Sequence, residues 1–281
     1  IPSGKVSGRS SDAPSLNIRG FTSINGGSPL ILLDGVSITL QELSTMNSND
    51  VQSITVLKDA ASSAIYGARA AYGVILITTK SATSSKMNVS INAYTAFRTP
   101  GQLPTIITDP YEIMTYRNAV HDNNLYNSTQ LAYAQQREKD PSLPAAVPKP
   151  GSSPMYYTYT GNTNWLDVVY QKYAPTNDIN MSVSKKSDKL SYYFSSDYYA
   201  LNGLFNYGND LYRQFNMRGK VDLQVTPWLS FSNNTMVTYD TYNEPSDIDG
   251  TFFSDMFRTV SPIDIPKNPD GTWTPAGAST V

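Results

Sequence analysis

The side chains that could make or break bonds are few, and their spacing does not suit the task. His121 is the sole histidine and there is no cysteine, so a His-based triad or a zinc cluster would lack members. His121 itself reads as a solvated loop residue. Gly4-Lys5 matches the end of a phosphate-binding loop, but the upstream glycine and the preceding strand are absent. Asp247 and Asp249 before Gly250 echo the start of a calcium loop without its later ligands. The expectation is therefore no catalytic residue, no metal and no cofactor. Binding chemistry is better represented. Tyr156, Tyr157 and Tyr159 could stack on sugar faces or form a partner surface. Arg19 sits at the end of a short apolar stretch and, if buried, would need a carboxylate.

The elements that would position these groups centre on Val51–Lys80. Val51, Ile54, Val56 and Leu57 predict a strand, and Asp59 is a good N-cap for the Ala-rich segment after it. That segment, Ala60–Tyr66, is helix-permissive, and Gly67 supplies a left-handed exit. Gly73 then opens Val74–Thr79, a β-branched run of the kind found in buried strands. Upstream, residues 1–15 read as loop and Leu16–Arg19 as a short strand. Leu30–Leu33 predicts a buried strand ended by Asp34-Gly35, and Leu40–Met46 a helical turn.

After the polar linker Ser81–Lys86 the period becomes two. Met87, Val89 and Ile91 alternate with Asn88, Ser90 and Asn92, and the same pattern recurs at 179–184, 190–195, 215–224 and 229–239. The connections are tight at 185–189 and 225–228 but long at 97–178 and 200–212. Short turns at one rim and long loops at the other suit an outer-membrane barrel. In the longest loop, Asp109-Pro110-Tyr111-Glu112 predicts a capped helix to about Val120, and Asn164–Tyr170 a second short one. Few long-range contacts are expected after residue 100.

The bulk numbers agree. A net charge of -2 in 281 residues gives no footprint for nucleic acid. Charged residues make up 16%, below the roughly 25% of soluble domains. With 20 tyrosines and 3 tryptophans, the composition suits aromatic girdles around a polar lumen. No apolar run approaches the ~20 residues of a membrane-spanning helix.

The residues also carry a family resemblance. VLKDAASSAIYGARAAYGVILITTK, Val56–Lys80, resembles the end of the plug domain of TonB-dependent outer-membrane transporters. Its Lys-Asp-Ala form, with the AIYG and GVILITTK blocks, is similar to the SusC/RagA branch. SLNIRGFTSINGGSPLILLDGV, Ser15–Val36, matches that family's IRG and P-L-ILLDG segments in order. The likeness is close over residues 1–83 and loose beyond.

The resemblance implies an α+β plug domain at 1–83, its N-terminal part missing. Residues 84–281 would be strands and extracellular loops of an antiparallel transmembrane β-barrel, truncated and not closed within this chain. Five strand-like segments follow residue 86, whereas plugged transporters close with about 22. The implied function is TonB-dependent import of an oligosaccharide or peptide across the cell outer membrane, with no bond chemistry. The implied partners are a SusD-like surface lipoprotein lid, outer-membrane lipid, and TonB through a segment not visible here. Within this frame Arg19 would form a plug–barrel ion pair. Arg9, Phe21, Asn25 and Thr39, on plug loops facing the vestibule, would contact substrate. Two alternatives remain open: a siderophore or vitamin receptor without a lid, and a soluble β-rich glycan-binding protein or enzyme.

Overall fold

The computed structural model describes residues 28–59, 64–121, 125–149, 157–243 and 258–280. The chain divides into two compact units. The first takes in the described residues up to Phe97 with Pro175–Gly203 and Leu211–Asn243, and the second Arg98–Ala174, Leu204–Asp210 and the described residues after Asn243.

The first unit contains a four-stranded mixed sheet in the order β2-β1-β4-β3. Strands β1 (Leu30–Leu33) and β2 (Val36–Ile38) form a hairpin. Asp34 and Gly35 both take positive φ, 48° and 89°, as a two-residue turn of this hand demands. β4 (Val74–Thr79) runs parallel to β1 and antiparallel to β3 (Val51–Leu57). The unbroken apolar runs of β1 and β4 follow from burial on both faces. Ile31, Ile75 and Ile77 pack on one side with Leu40 and Leu43 of helix α1 (Leu40–Thr45), and Leu32, Val74 and Ala70 pack on the other. Of the helix expected over Ala60–Tyr66, residues 60–63 lie outside the described residues. From Ala64 to Ala70 the chain is 3-10, broken by Gly67 at φ 66°.

The same unit holds a five-stranded sheet in the order β11-β10-β9-β8-β5. Its strands are β5 (Asn88–Arg98), β8 (Ala174–Lys186), β9 (Leu190–Asn202), β10 (Leu211–Thr226) and β11 (Leu229–Asn243). Neighbouring strands from β8 to β11 pair antiparallel, and no closed barrel forms among the described residues. The alternation is inside out. On β10 the buried positions are Tyr212, Gln214, Asn216 and Arg218, while Phe215 and Met217 are exposed. On β9 the buried Tyr193, Ser195 and Asp197 alternate with exposed Phe194 and Tyr198. Val89 is 59% exposed on β5 and Ser90 half-buried. Gly219 accommodates the Phe194 ring from the neighbouring strand, since a Cβ there would stand 3.1 Å from it.

The second unit comes from the long connections. Helices α2 (Pro110–Val120) and α3 (Ser128–Lys139) pack through Met114, Ala134 and Ile263. Strands β6 (Ala146–Pro148) and β7 (Tyr157–Tyr159) pair, and α4 (Trp165–Val169) anchors a core with Phe205 and Val260. The Trp165 indole donates to the Ser261 carbonyl at 2.8 Å. This unit overturns the expectation of few long-range contacts after residue 100. Trp165 and Met114 are apolar anchors large enough to organise distant loop segments. The α3 helix is an addition to the elements expected from sequence. Its signal is Asn127 and Gln130, which cap each other reciprocally before a polar, helix-favouring stretch.

Asp109 caps α2, its carboxylate accepting from Glu112 N at 2.6 Å, with Pro110 at the first helical position. Asp109→Ala is expected to weaken α2 by about 1 kcal/mol. The check is hydrogen exchange at the Ile113–Arg117 amides, which should speed up while the β9 and β10 amides hold.

Candidate functional site

Among the described residues no three His, Cys, Asp or Glu side chains gather as a metal site would require. The densest polar cluster lies instead where the four-stranded sheet meets the five-stranded one. It starts from Asp34. The left-handed turn aims this carboxylate back at β4, where it accepts from Thr79 N at 2.9 Å and from the Thr79 hydroxyl. From the other sheet Asn234 donates its amide at 2.8 Å, and the cations of Arg218 and Lys220 each approach to 3.8 Å.

Alternation on β10 places Arg218 and Lys220 on one face. Arg218 is only 4% exposed. Its guanidinium donates to Asn234 Oδ1 at 3.1 Å, to the Lys80 carbonyl at 3.2 Å and to the Thr79 hydroxyl, and it lies 5.3 Å from the Tyr193 ring centre. Burial alone would raise the Asp34 pKa. The two hydrogen bonds from Thr79, then Lys220 and Arg218, outweigh it and hold the carboxyl below its ordinary value of 3.8.

A second contact forms around Asp50, which closes the 3-10 turn Ser48–Asp50 and is buried. The Tyr193 and Ser195 hydroxyls both donate to its carboxylate at 2.9 Å. Gln214 makes a third, donating to the Thr45 carbonyl at the end of α1 while accepting from Tyr212 Oη at 3.0 Å. Among the described residues the seam is made of hydrogen bonds and ion pairs, and neither apolar cluster of the four-stranded sheet includes a residue of the five-stranded one. Water can make hydrogen bonds of the same kind to each of these groups.

Comparison with known proteins identifies the two sheets. Residues 1–74 match the family model of the TonB-dependent receptor plug domain. TonB-dependent receptor P26 of Formosa agariphila is 34% identical over 205 residues, covering 71% of this chain and 18% of that protein. SusC of Bacteroides thetaiotaomicron, a TonB-dependent receptor, is 31% identical over 210 residues, again 71% of this chain and 18% of the relative. Among solved structures, the RagAB peptide importer in its open-open state aligns with 94% of this chain and 29% of its own, at TM-score 0.63 and 23% identity. The chain belongs to the SusC/RagA-like TonB-dependent receptors. It spans about a fifth of the length of the curated relatives it matches.

In this SusC/RagA-like chain the four-stranded sheet is plug and the five-stranded sheet is wall. Arg9, Arg19, Phe21 and Asn25 lie outside the described residues, as do Tyr156, Asp247 and Asp249. Thr39 is the exposed N-cap of α1: its hydroxyl accepts from Glu42 N at 3.1 Å and donates to the Glu42 carboxylate at 2.9 Å. The expected plug-to-wall pairing thus has a described counterpart of reversed polarity, with the acid on the plug. Sequence reasoning missed Asp34, reading it only as a turn. The available signal was a pair of cations, Arg218 and Lys220, at i and i+2 on the polar face of a strand.

Against the raising effect of burial, the Asp34 pKa is lowered in the folded chain first by Thr79 on the same sheet and then by Lys220 and Arg218 on the other, so its contribution to stability is complete above 3.8 and is lost as pH falls through the lower folded value. Plug protection in hydrogen exchange should therefore be flat from about pH 5 to 8 and drop below about pH 4. Asp34→Ala removes the acid facing a buried guanidinium and is expected to cost about 3 kcal/mol of docking stability. The readout is the urea concentration that exposes the β4 amides in the intact protein.

Proposed function

We propose that this chain supplies the plug and five wall strands of an outer-membrane importer for a large nutrient, an oligosaccharide or a peptide. The inside-out wall is the observation that carries the reading. In water, a sheet that exposes Phe215, Met217, Phe231 and Val237 while burying Arg218, Asn216 and Asp197 inverts the usual preference. In a bilayer the same alternation is favourable, with the apolar face on lipid and the polar face on the lumen. Residues 1–83 would form the plug and 84–281 the wall with its external loops. Energised TonB would pull on the plug, and the seam at Asp34, Asp50 and Gln214 would hold the lumen shut until then. A SusD-like surface lipoprotein would close the vestibule from outside. Arg9, Phe21, Asn25 and Thr39 are the residues to test for substrate contact, and Arg19 for a further plug–wall ion pair. No step involves bond chemistry or a cofactor.

Native purification from the outer membrane in detergent, with mass analysis of what co-purifies, tests the reading. A surface lipoprotein with a bound oligosaccharide or peptide supports it. An iron chelate or a vitamin without a lid protein would put a different receptor class in its place, and recovery in the aqueous fraction would remove the membrane altogether.

The two faces of β5 make a second test. Val89→Arg at mid-membrane depth should cost about 2–4 kcal/mol in reversible folding from urea into vesicles, and Ser90→Arg close to nothing. Equal tolerance of both would count against a lipid-facing Val89.

A further inference from the structure

At the short-turn end the wall carries a cluster of lysines, none of them in an ion pair with an acid of the described chain. Lys185 and Lys186 end β8, Lys189 follows in the turn, and Lys86 precedes β5; all four are exposed. None has a carboxylate within ion-pair distance among the described residues. Of the neighbouring acids, Asp188 shares the turn and is exposed, while Asp222 accepts from the Ser232 hydroxyl at 2.6 Å. The backbone gathers the lysines at one level. Lys186 N donates to the Ser84 carbonyl at 2.8 Å and Gln224 N to the Lys189 carbonyl at 2.8 Å.

This cluster lies directly beyond the apolar face. Lys185 is opposite Tyr192 on the side that carries Met181 and Val183. Leu190, Leu223 and Phe231 end the apolar band at the same level, in register across β9, β10 and β11. In the β10–β11 turn beyond them, Trp228 is 82% exposed. An indole with no protein packing is costly in water but favourable at a membrane–water interface, where the ring meets acyl chains and its N–H meets headgroups. A lysine at the end of an apolar band extends its stem along the hydrocarbon and places its ammonium among phosphates. An acidic protein would satisfy the charge without using the indole or the apolar edge. An anionic lipid uses all of them.

We propose that this rim is a binding site for the headgroup of an anionic phospholipid, with Lys185 and Lys189 on the phosphate, Lys186 and Lys86 adding to the field, and Trp228 at the glycerol level. The proposal rests on the reading of the five-stranded sheet as a membrane wall. The test uses the intact receptor in detergent, titrated with equimolar phosphatidylglycerol and phosphatidylethanolamine of identical acyl chains, with bound lipid counted by native mass spectrometry. Wild type should retain phosphatidylglycerol preferentially. Lys185→Gln/Lys186→Gln/Lys189→Gln should lower that preference by on the order of a hundredfold, and the corresponding triple Lys→Arg variant should keep it. Trp228→Ala should weaken retention of both lipids alike. Heat-modifiable migration on gels checks that each variant is folded. Equal retention of the two lipids by folded wild type, or an unchanged preference in the glutamine variant, overturns the lipid site and leaves the membrane wall standing. Displacement of phosphatidylglycerol by millimolar inorganic phosphate would assign the cluster to free phosphate and overturn it as well. A receptor that never enters the membrane fraction removes both.

Discussion

The Arg218 guanidinium sits in a space almost closed to water, and it keeps its charge there because two sheets meet around it. Asp34 supplies the countercharge, while Thr79, Asn234 and the Lys80 carbonyl take up its N–H groups. An arginine buried with any one of these missing would cost several kcal/mol. The polar face of the wall therefore needs the plug, and Asp34 and Asp50 on the plug need the wall. A polar seam can exchange its hydrogen bonds for water, which an apolar core cannot do.

The opposite face obeys the complementary rule. Phe194, Phe215, Met217, Phe231 and Val237 form a continuous apolar surface with no protein against it among the described residues. On a soluble protein a patch of this extent would be an aggregation site. Against hydrocarbon it is what the backbone requires, because wall amides pair within the sheet and only side chains meet the solvent. Inner polarity and outer apolarity are thus one constraint expressed twice by a period of two.

The long connections have a different logic. They form a unit with its own apolar anchors, Trp165 and Phe205 in one cluster and Met114 with Ile263 in another. The carboxyl of Asp264 is half-buried within this unit. Burial raises its pKa, although Ser261 N donates to it and Arg117 adds a favourable charge.

Much of this was decided locally and could be read along the chain. The strands β1 and β4 were evident from unbroken apolar runs, β3 from Val51, Ile54, Val56 and Leu57, the wall strands from alternation, and α2 from Asp109-Pro110, because each depends on neighbours a few residues away. Family membership was equally legible, since the AIYG, GVILITTK and ILLDG blocks lie in order within one continuous stretch. The direction of the alternation was also written in the residues, but what faced the polar side was not. That Asp34 meets Arg218, some 184 positions later by their numbers, that Asp50 meets Tyr193 and Ser195, and that Trp165 reaches Ser261 depend on how strands register and loops fold back. Sequence sets which side chains share a face. Only the tertiary structure decides which two faces meet, because burial energy and ion pairing act through space while propensity and period act along the chain.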